Sequence, residues 1–168
     1  MITHVTCPNC GGIVEINTST KKCFCLYCDS EFLVFKKPNE QFKEIKELCF
    51  RFSLQDTTLS TAASEYIKET RLYLSAQKML GLPPEDEVFL ICTLSFWTPC
   101  KKGFAICENG LYFRGDKMEK SRHLTWEEFK HISIQANDTF MIDNICFSTD
   151  EKLTFPLKDL FEKIQQMI

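Results

Sequence analysis

The sequence predicts an α+β protein in three parts: a small cysteine-knuckle module, a helical connector, and an antiparallel β-barrel or sandwich capped by a C-terminal helix. Three observations carry this prediction. Two C-x-x-C pairs, Cys7/Cys10 and Cys25/Cys28, are separated by fourteen residues. Apolar residues then recur at helical spacing as far as Gly81. From Glu87 onward the apolar period falls to two, and a final helical stripe ends the chain.

The elements follow in order. In the first module, residues 1–37, Cys7-Pro8-Asn9-Cys10-Gly11-Gly12 reads as a knuckle and Ile13 to Ile16 as a strand. The polar run Asn17 to Lys22 reads as a hairpin turn, Cys23-Phe24 as the returning strand, and Cys25-Leu26-Tyr27-Cys28 as the second knuckle. A short strand, Glu31 to Phe35, follows. In the connector, residues 38–82, Phe42, Ile45, Leu48, Cys49 and Phe52 share one helical face. After a polar break at Gln55 to Thr58, a second pattern runs through Leu59, Ala62, Ala63, Tyr66, Ile67, Tyr73, Leu74 and Leu80. Gly81 followed by Pro83-Pro84 is a strong helix stop, and it sets the boundary of the last domain, residues 83–168.

That domain starts with Val88 to Phe96, a largely buried strand. Phe104 and Ile106 lead to Asn109-Gly110, a hairpin signal, and Leu111-Tyr112-Phe113 returns. The pairs Ile132/Ile134, Phe140/Ile142, Ile145/Phe147 and Leu153/Phe155 alternate as further short strands, about seven in all by this alternation rule. Pro156 suits the first position of a helix, and Leu157, Leu160, Phe161, Ile164 and Ile168 give that helix one apolar stripe. No internal repeat is expected.

Composition narrows the functional classes. The chain is 44% hydrophobic and 26% charged, an ordinary globular balance, with fifteen phenylalanines for a core. Its net charge is −3. That argues against a general electrostatic grip on nucleic acid or anionic lipid, which relies on clustered Lys and Arg. The first module holds a small basic excess from Lys21, Lys22, Lys36 and Lys37, too few for a basic stripe. The first twenty residues lack the basic start and apolar run of a secretory leader. Ten cysteines, four of them in C-x-x-C pairs, then fit a reducing, cytoplasmic setting with one metal site. Cys49, Cys92, Cys107 and Cys146 read as buried thiols.

Cys7, Cys10, Cys25 and Cys28 are the predicted metal ligands. Zinc takes four thiolates in a tetrahedron, and each C-x-x-C turn places two sulfurs on one side of a tight knuckle. Four ligands fill the coordination sphere, so the site would be structural, with one Zn2+ supplying folding energy that so short a segment lacks. Cys23 and His4 are alternative ligands, but neither preserves both knuckles. The segment resembles the zinc-ribbon family: Cys7-Pro8-Asn9-Cys10-Gly11 is similar to its first knuckle and Cys25-Leu26-Tyr27-Cys28 to its second. Ribbons of that kind bind protein, DNA or RNA, or cap a neighbouring domain.

The C-terminal half resembles the bacterial pleckstrin-homology-like domains, related to the GRAM type. Gly103-Phe104-Ala105-Ile106, Gly110-Leu111-Tyr112-Phe113, Leu124-Thr125-Trp126-Glu127-Glu128-Phe129 and the final helix carry the likeness. It implies a sheet or partly open barrel plugged by the last helix. Such domains are mostly binding platforms for proteins, peptides or lipids. Lys101 and Lys102 lie where a phosphoinositide-binding member would want a larger basic cluster.

Catalytic motifs are not expected. His123 and His131 flank Trp126 to Phe129 in what reads as a polar turn, and Cys100 reads as an exposed loop thiol beside Lys101 and Lys102. No phosphate loop, nucleophile elbow or H-E-x-x-H occurs. The expected function is a non-catalytic adaptor binding a protein partner, with Phe96 and Trp97 as apolar anchors. Nucleic-acid binding through the first module, and membrane or lipid binding through the last, are the alternatives.

Overall fold

The computed structural model describes residues 2–17, 22–33, 42–55, 60–63, 67–95, 97–149 and 151–168. The chain divides into two compact units, Met1–Glu40 and Gln41–Ile168.

The first unit is two antiparallel hairpins. Strand β1 (Ile2–Thr6) pairs with β2 (Ile13–Asn17), and β3 (Lys22–Phe24) pairs with β4 (Glu31–Leu33). This corrects the expected pairing of β2 with β3 across the polar run. Each knuckle is itself the reversal of its own hairpin. Cys7 N donates to Gly12 O at 2.8 Å and Gly11 N to Cys7 O at 2.9 Å; Cys25 N donates to Ser30 O at 3.0 Å and Asp29 N to Cys25 O at 2.9 Å. The residue after each second cysteine is left-handed, with φ 74° at Gly11 and 54° at Asp29. Glycine takes that conformation freely, and Asp is among the few other residues that tolerate it. The hairpins are therefore built alike, a structural repeat hidden in the sequence because little beyond the cysteines is shared. Their common core is minimal: Cys7, Val14, Cys23 and Cys25 are buried, with Val5, Cys28 and Phe32 packed against them.

The second unit opens with helix α1 (Lys43–Gln55) and a short strand, β5 (Ser60–Ala62). A 3-10 turn (Ile67–Glu69) leads to α2 (Arg71–Leu80), which Thr70 caps by accepting from Tyr73 N, and which Gly81 ends in the left-handed conformation. An antiparallel sheet then runs β5, β6 (Val88–Thr93), β7 (Gly103–Cys107), β8 (Gly110–Arg114), β9 (Arg122–Leu124). At the β7–β8 turn, Gly110 has φ 129°, and a Cβ there would lie 2.0 Å from Leu124 O, so only glycine fits. A six-residue helix, α3 (Trp126–His131), precedes a three-stranded meander, β10 (Ile134–Ala136), β11 (Phe140–Ile142) and β12 (Ile145–Phe147). Helix α4 (Glu151–Met167) closes the chain.

The central strands β6, β7 and β8 are buried on both faces, because their residues alternate between two cores. Leu90, Cys92, Phe104, Ile106, Leu111 and Phe113 face one core, which α1, α4 and the three-stranded sheet complete through Ile45, Cys49, Phe140, Phe147, Leu157 and Phe161. Val88, Ile91, Ala105, Cys107 and Tyr112 face the other, covered by Tyr73, Ala76 and Leu80 of α2. The expected separate connector, residues 38–82, thus supplies cover for both faces and an edge strand. For the same reason the compact unit begins at Gln41 and not at residue 83. Among the described residues the two sheets remain distinct and no closed barrel forms.

Seven strands, β6 to β12, are present, but not the seven expected. Arg122–Leu124 is a strand, whereas Leu153 and Phe155 belong to α4. Leu153 is buried and Phe155 is exposed, and Leu153 continues the stripe of Leu157, Leu160, Phe161 and Ile164. Pro156 therefore lies inside the helix rather than at its start. It supplies no N–H there, and the buried stripe outweighs that loss. The first long strand ends at Thr93, so Leu94 and Ser95 are outside it and Phe96 lies outside the described residues.

Candidate metal centre

The two knuckles bring the Sγ atoms of Cys7, Cys10, Cys25 and Cys28 within 4.8 Å of one another. The closest approaches cross between hairpins: Cys7 to Cys28 at 3.8 Å and Cys10 to Cys25 at 3.6 Å. A tetrahedron with metal–sulfur bonds of about 2.3 Å has edges of about 3.8 Å. These separations match it, and they are far too long for disulfides. None of the ten cysteines is in a disulfide. The four-sulfur set, with its spacing, is compatible with a bound metal ion.

Polar groups support the sulfurs. Ser30 Oγ lies 3.0 Å from Cys28 Sγ and 3.6 Å from Cys7 Sγ. Gly12 N donates to Cys10 Sγ at 3.4 Å, and Asn9 Nδ2 to Cys28 Sγ at 3.7 Å. Burial opposes ionisation of Cys7, but Ser30 and the backbone amides of Cys10 and Asn9 bring it down to about 6. The Ser30 side chain and backbone also lower Cys28. At Cys10 the Gly12 amide favours the thiolate, yet Cys28, burial, Cys25 and Cys7 push the group up to about 12. So crowded a set cannot ionise fully by itself, because each thiolate opposes the next. A divalent cation at the centre is the charge that would let all four ionise.

The alternative ligands stand apart from this set. His4 Nε2 lies 3.1 Å from Glu15 Oε1 on an exposed face, and Cys23 is buried in the small core. Ser30 was not singled out from the sequence, although a hydroxyl two residues past a C-x-x-C knuckle is a readable signal for a supporting hydrogen bond. The first unit also exposes Ile13, Phe24, Leu26 and Tyr27, which sequence reasoning did not anticipate. Lys21, Lys36 and Lys37 lie outside the described residues, and Lys22 begins β3.

In the second unit, Trp97 is 90% exposed. Trp126 is half-buried, packs on Phe42 and Phe129, and donates from Nε1 to Glu108 O at 2.8 Å. Cys100 is fully buried, with its N–H donating to Thr93 Oγ1 at 2.8 Å, and burial pushes its thiol up to about 12. That corrects the exposed-loop expectation. Cys49, Cys92 and Cys107 are buried as expected, while Cys146 is only partly so. The expected polar turn between His123 and His131 is helix α3, whose Thr125–Glu128 capping box was legible as T-x-x-E. His123 stacks on Tyr112 with ring centres 4.2 Å apart, and His131 sits 3.8 Å from Glu127. Tyr73 is buried, and Tyr66 lies outside the described residues.

No helix among the described residues is long and apolar enough to cross a membrane. No protein-family model matches the chain, and no curated protein or solved structure matches it either.

Proposed function

We propose that this chain is a non-catalytic adaptor that binds a protein partner through its second unit, with a zinc ribbon as its first. Cys7, Cys10, Cys25 and Cys28 hold one structural Zn2+, which neutralises the thiolates and ties the two hairpins together. The minimal core beside them supports this reading, since four buried residues stabilise little without a metal. The second unit is read as a pleckstrin-homology-like platform. Its four-stranded run β6–β9, its meander β10–β12 and its closing helix α4 support that reading.

One observation carries the binding function: an indole that is 90% exposed on a unit whose central strands β6, β7 and β8 are buried on both faces. Exposed tryptophans are the residues most often found as interface anchors. The test is affinity purification of the intact chain beside Trp97→Ala, followed by reconstitution with each purified candidate. A partner that binds the intact chain and not the variant is the expected result.

A second reading, docking on an anionic lipid surface, is favoured by one further observation. Residues 94, 95, 97–102 and 114–122 lie at the same end of the sheet and hold six basic against two acidic residues. Sedimentation with phosphatidylserine vesicles near physiological salt separates the readings. Saturable binding lost on changing Lys101, Lys117 and Lys120 would replace the adaptor by a peripheral membrane protein. Tight binding to DNA or RNA, lost on changing Lys21, Lys22, Lys36 and Lys37, would replace it by a nucleic-acid-binding protein.

A further inference from the structure

The two knuckles match residue for residue. Cys7-Pro8-Asn9-Cys10-Gly11-Gly12 corresponds to Cys25-Leu26-Tyr27-Cys28-Asp29-Ser30, and the closing bonds fall at matched places, Cys7 N to Gly12 O and Cys25 N to Ser30 O. Asn9 therefore corresponds to Tyr27, and Gly12 to Ser30. Were the hairpins identical, the two sulfur edges that cross between them, Cys7–Cys28 and Cys10–Cys25, would be equivalent. The unlike residues at these two positions make one edge polar and the other apolar.

At the Cys7–Cys28 edge both positions supply donors. Ser30 Oγ lies 3.0 Å from Cys28 Sγ and 3.6 Å from Cys7 Sγ, so one hydroxyl reaches a sulfur of each hairpin. Asn9 Nδ2, from the other hairpin, donates to Cys28 Sγ at 3.7 Å. A thiolate accepts and cannot donate, so beside ionised sulfurs the Ser30 hydroxyl is the donor, with Cys28 its nearer acceptor. At the Cys10–Cys25 edge Gly12 has no side chain, and the Tyr27 ring takes the space one would need. A Cβ on Gly12 would lie 2.7 Å from Tyr27 Cδ2 and 3.3 Å from Cys10 Sγ, so a counterpart of Ser30 cannot be placed there while Tyr27 stays. Cys10 Sγ accepts instead from the Gly12 amide, at 3.4 Å.

We propose that Ser30 is a positioning residue of the metal centre, a hydroxyl that fixes Cys7 and Cys28 against each other across the two hairpins and sets how tightly the four sulfurs hold their metal. Four thiolates around a divalent cation leave an excess of negative charge, and a donor aimed at sulfur stabilises the charged form. Hydrogen bonds to an ionised acceptor are about twice as strong as neutral ones, and partners that orient a metal ligand change metal affinity by about 10- to 100-fold. The unit's shared core is small, so a contact that crosses between the hairpins at the sulfurs also bears on their mutual orientation. Asn9 adds a longer contact at the same edge. The inference rests on the reading of the first unit as a zinc ribbon and names a residue, itself no ligand, on which its affinity depends.

The test is titration of the full chain with Zn2+ in competition with a chromophoric chelator, and with Co2+ followed by its absorption. Cobalt in a four-thiolate site shows ligand-field bands that report geometry and charge-transfer bands that report electron density on sulfur. Ser30→Ala should weaken Zn2+ binding by about 10- to 100-fold and move the charge-transfer bands to lower energy, with the ligand-field bands in place. Ser30→Thr keeps the hydroxyl and should restore both. Asn9→Ala should weaken binding less than Ser30→Ala does. A role confined to packing would leave the charge-transfer bands unmoved and make Ser30→Thr no better than Ser30→Ala. Zn2+ affinity in Ser30→Ala within about threefold of the intact chain's, short of the range for such partners, overturns the proposal, as do unmoved charge-transfer bands; either result leaves the zinc site standing. If Ser30→Ala takes up no metal, Ser30→Thr decides: recovery supports the role of the hydroxyl, and failure overturns it. If the intact chain binds neither ion, the zinc reading falls and the proposal with it.

Discussion

Phe161 is the point at which helix α4 holds the second unit together, and replacing it by Ala tests that architecture. Its side chain is fully buried. Its ring centre lies 5.0 Å from Phe104 on β7, 5.4 Å from Phe140 on β11 and 5.7 Å from Phe129 on α3. One ring therefore links both sheets and the short helix. Phe→Ala in a core costs about 3 to 5 kcal/mol. Aromatic pairs are worth about 0.5 to 1.5 kcal/mol each beyond area burial, and three of them place Phe161 near the top of that range, at about 4 to 5 kcal/mol. With a urea slope of about 2 kcal/mol/M, the unfolding midpoint should fall by about 2 M. Far-UV circular dichroism in a urea titration reads this directly. Phe155→Ala is the internal control: the same residue type on the same helix, but 62% exposed, with an expected change within about 0.5 kcal/mol. A loss below about 1.5 kcal/mol at Phe161, or equal losses at both positions, would refute the packing of α4 described above.

Purified, unchelated chain should contain one zinc atom, and Cys25→Ser should lose it and unfold the first unit while the second keeps its unfolding transition; metal analysis and two-step melting check this, and zinc-free native protein would sink the site. A fragment beginning at Gln41 should fold alone, whereas one beginning at Pro83 should not, because the shorter piece lacks Ile45, Cys49, Tyr73, Ala76 and Leu80 from the two cores; heat-capacity scans of both distinguish the cases. Asp86 should make the second unit less stable as pH rises. Burial holds its carboxyl above the usual range, against hydrogen bonds from Tyr112 and Asn109, so the folded state binds the proton more tightly than the unfolded chain. Its contribution is then fully present below the unfolded carboxylate pKa and lost as pH rises through the folded one. Asp86→Asn keeps an oxygen for the Asn109 donors and should flatten that slope in urea titrations across the acidic range; an unchanged slope would show that Asp86 is not its source.

The four sulfurs were legible in the sequence because a C-x-x-C turn is a local device whose geometry depends on little beyond its own residues. The pairing of the strands around them was not legible. A polar run such as Asn17 to Lys22 looks like a turn whether or not its flanks pair, and β1, with two apolar residues in five, gives little signal. The alternation along β7 and β8 was readable, since Phe104 and Ile106 oppose Ala105 and Cys107 on the two faces. What covers each face was not, because helical periodicity marks Ile45, Cys49, Tyr73 and Leu80 as apolar-face residues and not what they lie against; it also marks Leu74, which is exposed. Leu153 and Phe155 were misread for a definite reason. Two apolar residues one apart satisfy period two, and Pro156 mimics a helix start; only Leu153 with Leu157 and Leu160 reveals the longer stripe. The exposure of Trp97 is set by where the chain leaves β6, which no local pattern encodes.

The likeness of the two hairpins extends to how their sulfurs meet the solvent. The first cysteine of each knuckle, Cys7 or Cys25, is buried, and the second, Cys10 or Cys28, is open or partly open. Chemical attack is thereby given an order. An alkylating reagent or oxidant reaches one thiol on each hairpin, and the two it cannot reach are one from each hairpin as well. Damage at the surface thus begins on both hairpins together, and the sulfurs reached last, Cys7 and Cys25, are again one from each. Under limiting iodoacetamide, mass spectrometry should find Cys10 and Cys28 labelled first, with Cys7 and Cys25 following together as the unit opens; early labelling of Cys7 or Cys25 would show that the halves part before their rims are breached.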